Sequence, residues 1–262
     1  MTRNHHALAA LLAGICLPPL AAFAGGIEFG PEQALGVGTV RAFAETDATD
    51  RVTRIGVAMS ETAVSTPGHD MVFVTVPLPG AAVAAGYDHV SLDWMPHGHA
   101  PAGLFDAPHF DVHFYMTTEA ERLAIDPADP RYMEKAGARP SSDLMPPNFV
   151  PPPRVEPVPA MGEHWLDSTD PIFSGQPFEG VLIYGAWDGA VTFVEPMVTR
   201  DLLQSRRDFG GAVGQPPRVE REISLPHAWS VSFDTEAGMH VVSIDDLVPR
   251  APGDQVRAPR TN

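Results

Sequence analysis

Proline and glycine divide this 262-residue chain into short segments, and this punctuation constrains the fold more than any other feature. The sequence contains 28 prolines and 23 glycines. Proline removes a backbone donor and glycine favours turns, so both disfavour long helices. The runs between them are rich in valine, phenylalanine, threonine and tyrosine, which favours strands. We predict a mostly β protein, an antiparallel barrel or sandwich of cupin-like or lipocalin-like type, with few short helices.

Nine segments have the composition of strands. They are 38–45, 52–60, 71–78, 89–95, 109–117, 180–187, 190–195, 229–234 and 239–244. Asp188 and Gly189 predict a two-residue hairpin turn, because both residue types tolerate positive φ. Residues 235–238 predict a second hairpin. The capping-box pattern of Thr118 and Glu121 predicts a short helix, and 199–205 predicts another helical turn or two.

The first 24 residues have the pattern of a secretory signal peptide. Arg3 lies in a short polar start, residues 7–24 are mostly apolar, and Ala22 and Ala24 fit a cleavage site. Cleavage would remove Cys16, the single cysteine, so any metal site must be built from His, Asp and Glu. We therefore expect an exported protein, periplasmic or secreted.

We predict a β-rich domain over 25–248 and a disordered tail over 249–262. The proline-rich stretch 140–160 lacks the amide donors that a strand ladder needs, so it is interpreted as a connector. Two interpretations of it remain: a boundary between two domains, or a long excursion within one. We favour the second, because each half alone has few strands for a closed core.

The formal net charge of −16 limits the choice of partners. Such an acidic surface repels phosphate backbones, so nucleic acid is excluded as a partner. After the signal segment no run is long and apolar enough for stable membrane insertion. Cations, basic partners or an unidentified small ligand fit this charge, and a homo-oligomer stays open.

The stretch with the most potential metal ligands contains four histidines within seventeen residues: His97, His99, His109 and His113. The segment around the last two is aromatic and β-branched, which indicates a strand. Side chains alternate along a strand, so His109, Asp111 and His113 share one face. A helical zinc-protease motif would need a glutamate where Phe110 stands, so we reject that interpretation.

Strand geometry decides which of these residues can share an ion. Residues four apart on a strand are about 13 Å apart, so His109 and His113 cannot bind one ion without a bulge. The predicted ligands are therefore His97 and His99 with one of the other two. Asp111 is a further ligand or an outer hydrogen-bond partner. The second half of the chain offers Glu163, His164 and Glu195, the last at a predicted strand end before Pro196.

Two classes of function fit this pattern, and neither fixes a reaction, so enzymatic activity stays open. In the first, the histidines bind a divalent metal or a small ligand, with zinc favoured and copper, iron or manganese as alternatives. In the second, the protein is a non-catalytic structural or binding protein whose histidines form a hydrogen-bonded network.

The sequences of several motifs resemble those of a known protein family. The motifs are Trp94-Met-Pro-His-Gly-His99, Pro108-His-Phe-Asp-Val-His-Phe-Tyr115, Gly162-Glu-His-Trp165, and Tyr184-Gly-Ala-Trp-Asp-Gly189 followed by Phe193-Val-Glu-Pro-Met197. They resemble those of uncharacterised exported bacterial proteins that are similar to a protein controlled by the stress sigma factor sigma-E. The family is a domain of unknown function, so the resemblance implies a mostly β fold and export but no activity. Its stress-controlled relative implies that a non-catalytic protein of this kind would be an envelope-stress protein. Members often carry an acidic residue after His-Gly-His, whereas Ala100 to Ala102 contain none here.

Overall fold

The structure, a computed structural model, describes residues 25–254. Strands account for 42% and helices for 15% of these residues, which confirms the mostly β prediction. Two seven-stranded antiparallel sheets pack over a shared apolar core. The described residues form no closed barrel, so the sandwich is the confirmed alternative. The predicted signal peptide lies outside the described residues.

Sheet A combines strands from both ends of the described chain. Its strands, numbered along the chain, are β1 (Ile27–Phe29), β2 (Gln33–Leu35), β3 (Gly38–Thr46), β4 (Val52–Ser60), β12 (Phe209–Ala212), β14 (Ala228–Asp234) and β15 (Met239–Asp245). The order is β1-β3-β4-β15-β14-β12, and β2 also pairs with β3. The N-terminal and C-terminal strands thus meet at the β4–β15 pair in the middle of the sheet.

Sheet B is built from strands on both sides of the proline-rich stretch. They are β5 (Val72–Pro77), β6 (His89–Met95), β7 (His109–Tyr115), β8 (Phe149–Val150), β9 (Glu163–Asp167), β10 (Gly180–Trp187) and β11 (Ala190–Thr199). The order is β5-β6-β7-β11-β10-β9-β8. The proline-rich stretch holds a 3-10 turn at Ser142–Leu144 and the edge strand β8. Strands before and after it pair directly, through β7 and β11.

The remaining elements are short. They are the paired strands β13 (Ile223–Leu225) and β16 (Val248–Arg250), a 3-10 turn at Pro171–Ser174, and the helices α1 (Glu61–Ser65), α2 (Gly80–Ala84), α3 (Glu119–Leu123), α4 (Tyr132–Gly137) and α5 (Arg200–Ser205). The first two residues of the predicted tail therefore belong to β16, and 255–262 lie outside the described residues. None of the helices in the described part of the chain is long and apolar enough to cross a membrane.

Local sequence signals account for several of these elements. Thr118 and Glu121 form the predicted capping box at the start of α3. Asp188 and Gly189 have φ of 48° and 84° and join β10 to β11 as the predicted hairpin. The prediction that a strand ends at Glu195 is wrong, because β11 continues to Thr199. Its ladder with β7 is interrupted at Glu195–Pro196, where the proline has no amide hydrogen to donate.

Candidate metal centre

Strand β7 has two buried faces of opposite chemistry. The side chains of its inner face join the main core between the sheets: Phe110, Val112 and Phe114. The outer face carries His109, Asp111 and His113, with exposed fractions of 0%, 3% and 1%. Tyr115 of β7 itself and apolar side chains from adjoining strands and loops pack together over this outer face: Phe105, Ile172, Val181, Ile183, Phe193 and Met197. The polar side chains therefore occupy a second enclosed layer.

The first triad consists of His99, His109 and Asp111, whose ligand atoms converge. His109 Nε2 lies 3.1 Å from Asp111 Oδ1, and His99 Nε2 lies 3.5 Å from Asp111 Oδ2. Ligand atoms bound to a tetrahedral zinc ion at about 2.0–2.1 Å stand about 3.3 Å from one another. The three side chains are therefore spaced as metal ligands are.

Backbone carbonyl groups orient both imidazoles of the first triad. His99 Nδ1 donates to the carbonyl oxygen of Ala100 at 2.7 Å, and His109 Nδ1 donates to that of Ala107 at 2.6 Å. A carbonyl oxygen only accepts, so each Nδ1 carries the hydrogen and each neutral ring keeps its lone pair on Nε2. Metal-binding histidines are held in the same way in other proteins.

The loop between β6 and β7 brings His99 into the first triad. Gly98 has φ of 66°, and a Cβ at this position would lie 2.1 Å from the carbonyl oxygen of Phe105. Only glycine fits both the conformation and the close approach. A backbone bridge joins His99 to Phe105 and closes the loop. His97, on the other side of the glycine, is exposed and joins neither group of convergent ligand atoms.

The second triad consists of His113, His164 and Glu195, which come from β7, β9 and β11. His113 Nε2 lies 3.4 Å from Glu195 Oε1, and His164 Nε2 lies 3.6 Å from Glu195 Oε2. His113 Nδ1 donates to the carbonyl oxygen of Ser91 at 3.3 Å, so its lone pair is also on Nε2. This triad has the same donor types as the first.

Gly185 in β10 leaves room for an aromatic ring that packs against both histidines of the second triad. Gly185 pairs with His164 on one side and with Phe193 on the other. A Cβ at Gly185 would lie 2.1 Å from the Phe193 ring, so the ring can lie across β10 only because the side chain is absent. The ring centroid then stands 4.9 Å from that of His113 and 5.2 Å from that of His164.

Opposing effects set the charges of the first triad. Burial acts to lower the pKa of His99, but the Asp111 carboxylate outweighs it and the pKa is raised. Burial acts to raise the pKa of Asp111, but its contacts with His109 and His99 hold that pKa far below the usual range. Asp111 is therefore a buried anion that needs a positive partner.

Burial dominates in the second triad. It lowers the pKa of His113 to about 3 and that of His164 to about 4. Burial and the charge of Asp111 raise the pKa of Glu195 well above its usual range, and they raise that of Asp93 to about 7. The protein alone thus disfavours charge at the second triad.

Several buried polar atoms of this layer make no hydrogen bond to any residue that the structure describes. They are His109 Nε2, Asp111 Oδ1, His113 Nε2, Glu195 Oε2 and Asp93 Oδ2. Each such atom costs about 1–3 kcal/mol when it stays unsatisfied. Four of the five belong to the two triads. A cation, a proton or a polar ligand placed between these atoms would satisfy them.

The structure brings some of the predicted site residues into the two triads and leaves others outside them. His109 and His113 lie in separate triads, as their spacing along the strand requires. His164 and Glu195 join the cluster, whereas Glu163 does not. Its carboxylate accepts from Arg139 Nε at 2.7 Å and from Nη2 at 2.9 Å.

Sequence reasoning missed Asp93, which is fully buried and lies opposite Asp111 in the β6–β7 ladder. It accepts a 2.9 Å hydrogen bond from Ser91 Oγ, two residues earlier on the same face. The signal was present in the predicted strand 89–95, where His89, Ser91 and Asp93 alternate with apolar residues. That alternation marks a polar face beside the one on β7.

Comparison with known proteins gives one partial match. A family model described as TTHB210-like, Hypothetical protein TTHB210, matches residues 47–94. The matched segment spans β4 to β6 and ends at Trp94, before the first triad. No curated protein and no solved structure matches the chain. Over this segment the chain is thus similar to an uncharacterised family, whose description names no activity.

Proposed function

We propose that this chain is an exported protein that binds a divalent metal ion through the first triad. The ion would activate water or hold a small ligand, since three protein ligands leave coordination positions free. His99 is 36% exposed at its side chain, whereas His109 and Asp111 are enclosed. A small molecule can therefore approach from the His99 side while the other two ligands stay fixed.

The observation that carries the proposal is the contact between His109 Nε2 and Asp111 Oδ1. With the His109 ring neutral, each atom presents a lone pair to the other at 3.1 Å, and neither is hydrogen-bonded within the described residues. Two buried acceptors at this distance repel unless a cation or a proton lies between them. A bound cation satisfies both atoms and the Nε2 of His99 together.

The donor set limits the identity of the ion. Two imidazole nitrogens and one carboxylate suit zinc, and they also form the facial set found at non-haem iron sites. Zinc is the favoured ion, with iron, copper and manganese as alternatives. The formal charge of −16 attracts cations to the protein as a whole.

Export is proposed from the leader alone. Arg3, the apolar run and the small residues before Gly25 support secretion, into the periplasm or the medium. Loss of Cys16 with the leader leaves histidine and carboxylate as the metal ligands, as the first triad uses them. The link to sigma-E control rests on the motif resemblance.

A second candidate is a non-catalytic envelope-stress or binding protein whose polar layer is a hydrogen-bonded network. The bond from Ser91 to Asp93 and the carbonyl contacts of the histidines favour it. In that case the polar layer stabilises the fold without an ion.

Zinc titration of the chelator-treated mature chain tests the proposal. Calorimetry should detect a tight site that His99→Ala and Asp111→Asn abolish, while His227→Ala, which changes an exposed histidine outside the cluster, retains it. Equal zinc binding by all four proteins, or none by the wild type after titration with iron, copper and manganese as well, would contradict it.

A further inference from the structure

We infer that the second triad, His113, His164 and Glu195, holds a second divalent cation beside the first. This extends the proposed function, but residues outside the first triad carry it. The chain would then bind two ions on the outer face of sheet B.

The geometry of the second triad satisfies the same criterion as the first. Its two nitrogen–oxygen separations are 3.4 and 3.6 Å, close to the separation of about 3.3 Å between ligands of one tetrahedral zinc ion. Three different strands supply the ligands, so the sheet ladder fixes their relative positions. The Phe193 ring, packed against both imidazoles, restricts their rotation.

Two buried atoms of the second triad have no partner of their own. His113 Nε2 and Glu195 Oε2 make no hydrogen bond to any described residue, and their side chains are 1% and 2% exposed. One ligand atom from each of the three side chains lies within 4.8 Å of the other two. An unsatisfied carboxylate oxygen and an imidazole lone pair in one enclosed space form a site for a cation.

An ion at the first triad does not satisfy the second. It would contact Asp111 and leave Glu195 without a cation. Within the described part of the chain, the basic side chains within 4.0 Å of the Glu195 carboxylate are His113 and His164, whose lowered pKa values leave them neutral, and no lysine or arginine reaches it. The nearby Arg122 lies over the Tyr115 ring at 5.2 Å and contacts Glu119 instead.

The spacing along β7 places the two ions near each other without a shared ligand. Asp111 and His113 are two residues apart on one face, a separation of about 7 Å. In enzymes with two bridged metals the ions are about 3.5–4 Å apart. The two triads therefore act as neighbouring sites that fill separately, and one can be removed while the other stays intact.

Counting bound zinc by mass spectrometry tests this inference. The full mature chain, purified without a histidine tag, is stripped with a chelator and equilibrated at a buffered free zinc concentration. We expect two zinc ions in the wild type and in His227→Ala, and one each in His99→Ala, Glu195→Gln and His164→Gln. His164 is 23% exposed, so its variant reports even where the change at Glu195 disturbs folding, which circular dichroism will reveal.

The outcomes separate the two proposals. One ion in the wild type that is lost in His99→Ala but kept in the Glu195 and His164 variants overturns the second site alone. One ion that is kept in His99→Ala but lost in the other two variants supports binding at the second triad and overturns the first. No bound ion in the wild type overturns both.

Discussion

The two faces of β7 are buried to the same degree and differ completely in chemistry. Phe110, Val112 and Phe114 on the inner face are fully buried among apolar side chains. On the outer face, His109, Asp111 and His113 are almost as enclosed, yet each has a buried polar atom without a hydrogen-bond partner among the described residues. Burial stabilises the first face and costs free energy at the second. The inner face therefore stabilises the fold, and the outer face is where the proposed ions would offset the cost of burial.

The largest expected effect lies on the inner face. Phe110→Ala should lower the free energy of unfolding by about 3–5 kcal/mol, because it leaves a cavity in the core. Denaturant melts in the presence of chelator measure this loss. Phe73→Ala is the matched control. Phe73 is 59% exposed, so this variant should change the free energy of unfolding little. Equal losses in the two variants would contradict the assignment of the core face.

Asp111→Asn should separate stability from metal binding. Without metal, the variant should be less stable than the wild type. The low pKa of Asp111 means that its contacts with His109 and His99 stabilise the carboxylate in the folded state, and the variant loses them. Zinc at a hundred times its dissociation constant should stabilise the wild type by about 2.7 kcal/mol and the variant by nothing. Thermal melts with and without zinc measure both quantities. Equal stabilisation by zinc would show that Asp111 is not a ligand.

Local sequence patterns predicted the strands better than their partners. The alternation over 109–115 and the Asp188-Gly189 turn depend on near neighbours, and both were confirmed. Strands such as β9 are short and carry no strong local pattern, so the sequence did not reveal them. The extension of β11 past Pro196 depends on pairing with β10, which local propensity does not contain.

Local sequence patterns also predicted the site residues that are near in sequence better than those that only the fold brings together. His99, His109 and Asp111 lie within thirteen positions of one another, and the sequence offered all three as candidates while leaving the choice between His109 and His113 open. His164 and Glu195 reach His113 only through the order of sheet B, which no local pattern encodes. The structure does not bring the predicted ligand His97 into either triad, because the left-handed Gly98 separates it from His99.

A smaller effect should appear in the pH dependence of His164→Gln. The pKa of His164 is about 4 in the folded chain and near 6.5 when unfolded, so between these values only the unfolded state takes up the proton. As pH falls from 6.5 to 4, the wild type should lose stability relative to the variant by up to about 1.4 kcal/mol per pH unit. Urea melts in chelator at pH 7, 6 and 5 measure the difference, with His227→Gln as the exposed control. A difference that does not change with pH would contradict burial of a neutral imidazole.

The smallest effect is expected for His97→Ala. His97 is exposed and belongs to neither triad, so its removal should change the free energy of unfolding by less than about 0.5 kcal/mol. Zinc affinity should also stay within about twofold of the wild type, which corresponds to a few tenths of a kcal/mol. Parallel titrations of His97→Ala and His99→Ala measure the contrast. Loss of zinc binding in both would restore His97 as a ligand.

Anomalous X-ray diffraction tests the central claim most directly. Crystals of the untagged mature chain, grown with zinc, would be measured on both sides of the zinc absorption edge. We predict an anomalous peak about 2.0–2.2 Å from His99 Nε2, His109 Nε2 and an Asp111 carboxylate oxygen. No peak among these three atoms, in crystals where they retain the observed arrangement, would contradict the metal centre and leave the hydrogen-bonded network as the better account.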